Sequence, residues 1–129
     1  MQALGRQILV EFYDCNREVL DQTATIREVL LEGVRRSGAT IISDSFHTFN
    51  PHGVSGVVVI AESHVAIHTW PEHGYAAVDV FTCGETIDPW VIQKYLEVRF
   101  MASSVSSMEI KRGLFPEKLP HKPLELEAV

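Results

Sequence analysis

Positive charge is scarce in this chain: 11 Lys and Arg stand against 17 Asp and Glu, a formal net charge of -6. That balance weighs against binding to nucleic-acid phosphates. It leaves room for a cationic small molecule, which an acidic chain gathers into a cleft. Long apolar runs are missing as well. The opening Met1-Gln-Ala-Leu-Gly-Arg leads into only a short apolar stretch, which offers neither a secretory signal nor a membrane span, and a cytoplasmic location is expected. Cysteine is limited to Cys15 and Cys83, which in a reducing compartment are expected as free thiols. The compact Cys and His spacings of a zinc site are lacking, so no metal is expected. Neither an internal repeat nor a low-complexity linker interrupts the chain.

What is present suits one compact domain: 129 residues, 46% of them hydrophobic. A chain this short buries a modest share of its surface, so pairing with a second copy is expected to add core. Ile8, Val10 and Phe12 alternate with Gln7, Leu9 and Glu11, which predicts a strand over residues 3 to 13. Between Thr23 and Arg36, Ile26, Val29, Leu30 and Val34 share one helical stripe; Thr25 and Glu28 have capping-box spacing and Gly38 is a stop. Strand-forming stretches follow at Thr40 to Thr48, Val57 to Ala61, His64 to Trp70 and Tyr75 to Cys83, joined by links short enough for antiparallel neighbours. Asp88-Pro89 opens a second helix carrying Ile92, Tyr95, Leu96 and Phe100, and a last strand is expected at Val105 to Lys111. The pattern predicts an α+β fold, a two-layer sandwich in which two helices cover one face of an antiparallel sheet. One domain is expected over residues 1 to 115, with a C-terminal tail over 116 to 129.

Polar, titratable residues break into this strand-forming sequence three times: Phe49-Asn-Pro-His-Gly-Val-Ser-Gly, Ala61-Glu-Ser-His-Val-Ala-Ile-His-Thr-Trp-Pro-Glu and Asp79-Val-Phe-Thr-Cys-Gly. His64, Ala66, His68 and Trp70 point to one side of their strand, Val65, Ile67 and Thr69 to the other. Two imidazoles therefore share a face. Residue types alone allow a nucleophilic triad of Ser63 or Cys83 with His68 and Asp79, but a list without geometry carries little weight.

Taken together, Glu62-Ser63-His64, Ile67-His-Thr-Trp-Pro-Glu72 and Phe81-Thr-Cys-Gly84 resemble the signature of small prokaryotic S-adenosylmethionine decarboxylases. The likeness includes Leu4-Gly-Arg, Glu11-Phe-Tyr, Ser37-Gly-Ala-Thr and Gly53-Val-Ser-Gly-Val-Val-Val-Ile60, and runs to about Arg112. It implies a proenzyme that cuts itself between Glu62 and Ser63 into a β chain of residues 1–62 and an α chain of 63–129. Ser63 would become a covalent pyruvoyl cofactor and the Schiff-base centre. By the same resemblance, His68 is the processing base, Ser55 assists the acyl shift and Cys83 is the proton donor. The resemblance also implies that Phe49 stacks on adenine and Glu72 holds ribose hydroxyls, and Glu62, at the new β-chain end, is expected to line the pocket. The activity implied is decarboxylation of S-adenosylmethionine to the aminopropyl donor of spermidine biosynthesis. Eukaryotic relatives fuse two such modules, so this single module implies a homodimer through the sheet, both copies supplying residues. Those relatives have lysine two residues before the cysteine; Phe81 stands there in this chain, so no lysine-dependent effector response carries over.

Plainer readings stand beside these. Ser63 alone reads as a turn residue, Phe49 as core and Glu72 as a solvated loop carboxylate. His64 and His73 read as packing or rim residues, and neither Cys15 nor Asp79 takes a role. A pyruvoyl-dependent arginine or ornithine decarboxylase on the same fold is the alternative function, because fold and cofactor do not fix substrate. A regulatory or binding partner that never processes is the second.

Overall fold

The computed structural model describes residues 2–117. In chain order the elements are β1 (Gln2–Tyr13), α1 (Arg17–Leu20), α2 (Thr23–Arg36), β2 (Ile41–Thr48), β3 (Val54–Ile60), β4 (Ser63–Trp70), a 3-10 turn (Pro71–His73), β5 (Tyr75–Cys83), α3 (Pro89–Phe100) and β6 (Ser104–Phe115). The strands form one antiparallel sheet in the order β2-β3-β4-β5-β1-β6. The α+β class follows, with the helices laid on one face.

Strand alternation builds that core. Ile8, Val10 and Phe12 of β1, Val65 and Ile67 of β4 and Val78 and Val80 of β5 are buried. They meet Ile26, Leu30 and Val34 of α2 and Ile92, Leu96 and Phe100 of α3. Each such side chain withdrawn from water contributes roughly 1.5–3 kcal/mol before entropy is counted. Phe12 and Phe100 meet edge to face with centroids 5.5 Å apart, which fixes α3 against β1. Asp88 caps α3 by accepting the Trp90 N–H at 3.0 Å, and Pro89 opens its first turn. Among the described residues the opposite sheet face is uncovered and leaves Tyr13, Val59, Trp70, Met108 and Ile110 exposed.

Four details differ from the sequence expectation. The capping box at Thr25 and Glu28 does not form: α2 begins at Thr23 behind Gln22, which makes no side-chain cap, and the Thr25 hydroxyl donates to Gln22 Oε1 at 2.9 Å. Helix α1 ends so close to α2 that the cap position falls on Gln22. Helix α1 itself is one turn, too short to show a period. Strand β3 starts at Val54 rather than Val57, because Ser55 and Gly56 pair with His68 and Ile67 on one side and His47 and Phe46 on the other. Strand β6 runs to Phe115, paired along nearly all of β1. Of the tail expected over 116 to 129, everything beyond residue 117 lies outside the described residues.

Candidate active site

Ala61 and Glu62 form the tight turn between β3 and β4, and Ser63 opens β4 opposite Thr82 of β5. The tip is pinned by its neighbours. Ala61 N–H donates to the Thr40 carbonyl at 2.9 Å, and Thr40 N–H donates to Glu62 Oε1 at 3.1 Å. The Glu62 carbonyl oxygen accepts two hydrogen bonds from one residue, from Cys83 N–H at 3.0 Å and from the Cys83 thiol at 2.9 Å. Glu62 and Cys83 are 3% and 6% exposed, so neither donor competes with bulk water. Two donors on one oxygen draw electron density from the carbonyl carbon and stabilise negative charge that develops on the oxygen. The Ser63 hydroxyl belongs to the next residue along, one peptide bond from that carbon.

A second group gathers at the other end of the same strand. Ser55 of β3 stands directly opposite His68 of β4, and Ser55 Oγ lies 2.7 Å from His68 Nδ1. Both line a cleft of about 390 Å³ with Phe49, His52, Trp70 and Glu72. Phe49, 48% exposed, presents an open ring, steadied at its edge by His47 with centroids 4.6 Å apart. Glu72 sits on the 3-10 turn, where Pro71 occupies the first turn position. A hydrogen bond from its own backbone N–H, then the neighbouring His52 and His73, hold its carboxyl below the usual carboxylate range. It is thus ionised and ready to accept hydrogen bonds.

The structure therefore sorts the expected site residues into two groups: Glu62, Ser63 and Cys83 in one, Phe49, Ser55, His68 and Glu72 in the other. Five residue steps along β4 take Ser63 to His68, about 16 Å at the rise of a strand. Other singled-out residues stand apart. His64 packs edge-on to Phe81, with centroids 5.8 Å apart, and His73 is exposed on the 3-10 turn. Asp79 lies four residues from Cys83 along β5, about 13 Å at the rise of a strand. Cys15 is buried, and that burial, with Asp14 beside it, pushes its thiol up to about 11.

Three residues that sequence reasoning passed over also shape the site. Thr69 is buried on the core face and donates its hydroxyl to the Leu20 carbonyl at 2.8 Å while accepting from Val54 N–H at 2.9 Å. Asp21 accepts the Gly53 N–H at 2.9 Å, and His52 Nε2 lies 3.0 Å from Glu72 Oε2. Thr69 was legible as a hydroxyl on an apolar strand face, and His52 stands in the polar stretch that opens at Phe49; Asp21 carries no sequence signal.

Fold and site together define a small two-layer α+β protein with a polarised peptide carbonyl immediately before a serine. Comparison with known proteins narrows the class. The family model for S-adenosylmethionine decarboxylase matches residues 6–113. A Thermosipho melanesiensis protein named S-adenosylmethionine decarboxylase proenzyme is 51% identical over 127 residues, covering 95% of this chain and 98% of that protein. One of the same name from Thermodesulfovibrio yellowstonii is 52% identical over 125 residues, covering 95% and 93%. The crystal structure of the adenosylmethionine decarboxylase from Aquifex aeolicus superposes with a TM-score of 0.85 at 36% identity, covering 94% of this chain and 100% of that one. The chain belongs to the S-adenosylmethionine decarboxylase family.

Proposed function

We propose that this chain is a proenzyme that cuts its own Glu62–Ser63 bond and, as a homodimer, decarboxylates S-adenosylmethionine. The observation that carries the reading is the Glu62 carbonyl held by both Cys83 donors, at 3.0 and 2.9 Å, one residue before a serine. Attack of Ser63 Oγ on that carbonyl carbon puts negative charge on the oxygen that Cys83 already holds. Collapse breaks the C–N bond and leaves Glu62 esterified to Ser63 Oγ. Loss of the Ser63 α-proton to a base then expels the Glu62 carboxylate, giving dehydroalanine at residue 63. Water replaces its nitrogen, releasing ammonia and leaving a pyruvoyl group. The site fits that origin: a serine at the start of a strand, beside a buried carbonyl already polarised.

A base is needed for the α-proton, and His68 of the same chain is about 16 Å away along β4. His68 and Ser55 lie on the uncovered sheet face. A second copy laid on that face brings its imidazole and hydroxyl toward the first copy's Ser63, and the exposed Tyr13, Trp70, Met108 and Ile110 give the two faces apolar area to bury. In this reading each site takes Glu62, Ser63 and Cys83 from one protomer and Ser55, His68, Phe49 and Glu72 from its partner.

The pyruvoyl group, once formed, supplies a ketone for the substrate amine and a sink for the electrons that carbon dioxide leaves behind. The residues around it divide the remaining work. The Cys83 thiol, freed from the cut carbonyl, stays beside residue 63 and returns a proton to the substrate carbon. The Phe49 ring offers a flat face to adenine, and the ionised Glu72 accepts two ribose hydroxyls while favouring the cationic sulfonium. Decarboxylated S-adenosylmethionine, the aminopropyl donor for spermidine, is the product.

Carbon dioxide release from carboxyl-labelled S-adenosylmethionine, arginine and ornithine, supplied separately to the processed protein, tests the substrate. Release from S-adenosylmethionine alone is expected. Release from arginine or ornithine but not from S-adenosylmethionine contradicts the reading.

A further inference from the structure

Phe49 and Glu72 sit on two different loops, one after β2 and one after β4, and nothing in either loop's own sequence aims both at one cleft. The contacts that bring them together come from α1 and from His52. Phe49 N–H donates to the Gly53 carbonyl at 2.9 Å, which closes residues 49–53 into a compact loop. Gly53 has φ +109, and a Cβ there would lie 3.3 Å from the Thr69 carbonyl oxygen. Its N–H is taken by Asp21 Oδ1 at 2.9 Å. Asp21 follows α1, whose last carbonyl, that of Leu20, accepts the Thr69 hydroxyl. The C-terminal end of one short helix thus grips both the loop that bears Phe49 and the end of the strand that leads to Glu72.

His52 completes the connection from the loop side. Its Nε2 lies 3.0 Å from Glu72 Oε2, with the two side chains 37% and 39% exposed. This pair lines two clefts at once: the one beside Phe49 and His68, and an outer one of about 520 Å³ lined also by Arg17 and Asp21. Among the described residues, His52 is the one side chain within hydrogen-bond range of the Glu72 carboxylate, at the boundary between the two clefts.

We infer that Asp21 and His52 are positioning residues for nucleoside recognition, Asp21 presenting Phe49 and His52 holding the Glu72 carboxylate at the wall of the same cleft. The inference rests on the reading that Phe49 and Glu72 contact the substrate. Neither residue touches the bond that is cut, so their loss weakens substrate binding and spares both self-cleavage and turnover.

Steady-state kinetics on the full, processed chain test this with S-adenosylmethionine, comparing wild type with Phe49→Ala, Glu72→Gln, Asp21→Ala, Asp21→Asn and His52→Gln. Asp21→Ala and His52→Gln are each expected to raise KM about three- to tenfold with kcat held within about twofold. Asp21→Asn keeps the acceptor oxygen and restores KM. Wild-type KM in both Asp21→Ala and His52→Gln, while Phe49→Ala and Glu72→Gln raise it, overturns the inference. So does an equal KM defect in Asp21→Asn and Asp21→Ala. Wild-type KM in Phe49→Ala and Glu72→Gln instead removes the cleft reading, and the positioning roles fall with it. If Asp21→Ala does not fold, His52→Gln decides at its half-exposed position: a raised KM supports the inference and an unchanged KM overturns it.

Discussion

Cys15 and Cys83 are both buried thiols, and their neighbours set them to different uses. Cys83 spends its S–H on the Glu62 carbonyl, at the bond proposed to break. Cys15 is held neutral: burial first, then the Asp14 charge, push its thiol from 9.0 to about 11. A raised value means that the folded chain keeps this proton more tightly than the unfolded one. The stabilisation is therefore complete below pH 9.0 and is lost as pH rises toward about 11. Burial also raises Tyr75 in the same direction, aided by its hydrogen bond to Glu11, so a Cys15→Ala chain supplies the reference that cancels it. Urea unfolding across that range should show wild type losing up to about 2–3 kcal/mol more than Cys15→Ala. Parallel losses contradict the assignment. The sequence marked Cys83 through its Phe-Thr-Cys-Gly setting, whereas the donors around Glu62 were hidden in it. Thr40 gives a backbone N–H, which any residue but proline carries.

At the scale of elements, the β3-β4-β5 meander carries both halves of the candidate site, one at each end of β4. Its register decides which residues meet, and Gly56 guards that register. The Phe46 ring lies across Gly56 so closely that a Cβ there would fall 2.1 Å from the ring, while the next residue along, Ser55, faces His68. Gly56→Ala should therefore cost about 1–3 kcal/mol through overpacking, seen as a lower urea midpoint with Ser55 and His68 displaced. An unchanged midpoint contradicts that packing. The glycine also shows why the strand's start was misplaced. In the sequence, Gly53-Val-Ser-Gly reads as turn punctuation, but only the cross-strand ring of Phe46 reveals Gly56 as a ladder residue. Strands with clean alternation, such as β4 and β5, were legible, and so was α3 from its Asp88-Pro89 start. The one-turn α1 was not, since a single turn has no period to detect.

At the scale of the whole molecule, the sheet is covered on one side only among the described residues, with the histidine expected to process the chain far from the serine it would process. In the proposed homodimer the two facts meet: the sheet face that no described residue covers carries His68, which a second copy would bring toward Ser63. The motif named the residues, but sequence order could not show that strand length divides them into two groups. Every proposed role of Cys83, His68 and Ser55 requires that the chain cut itself at Ser63 and change that residue in doing so. Intact-mass measurement of freshly purified protein under denaturing conditions reads both at once. The expected result is two fragments, residues 1–62 and 63–129, the second lighter by one ammonia than a chain beginning with serine. A single full-length mass that persists on incubation, or a 63–129 fragment with an ordinary serine amine at its start, would contradict it.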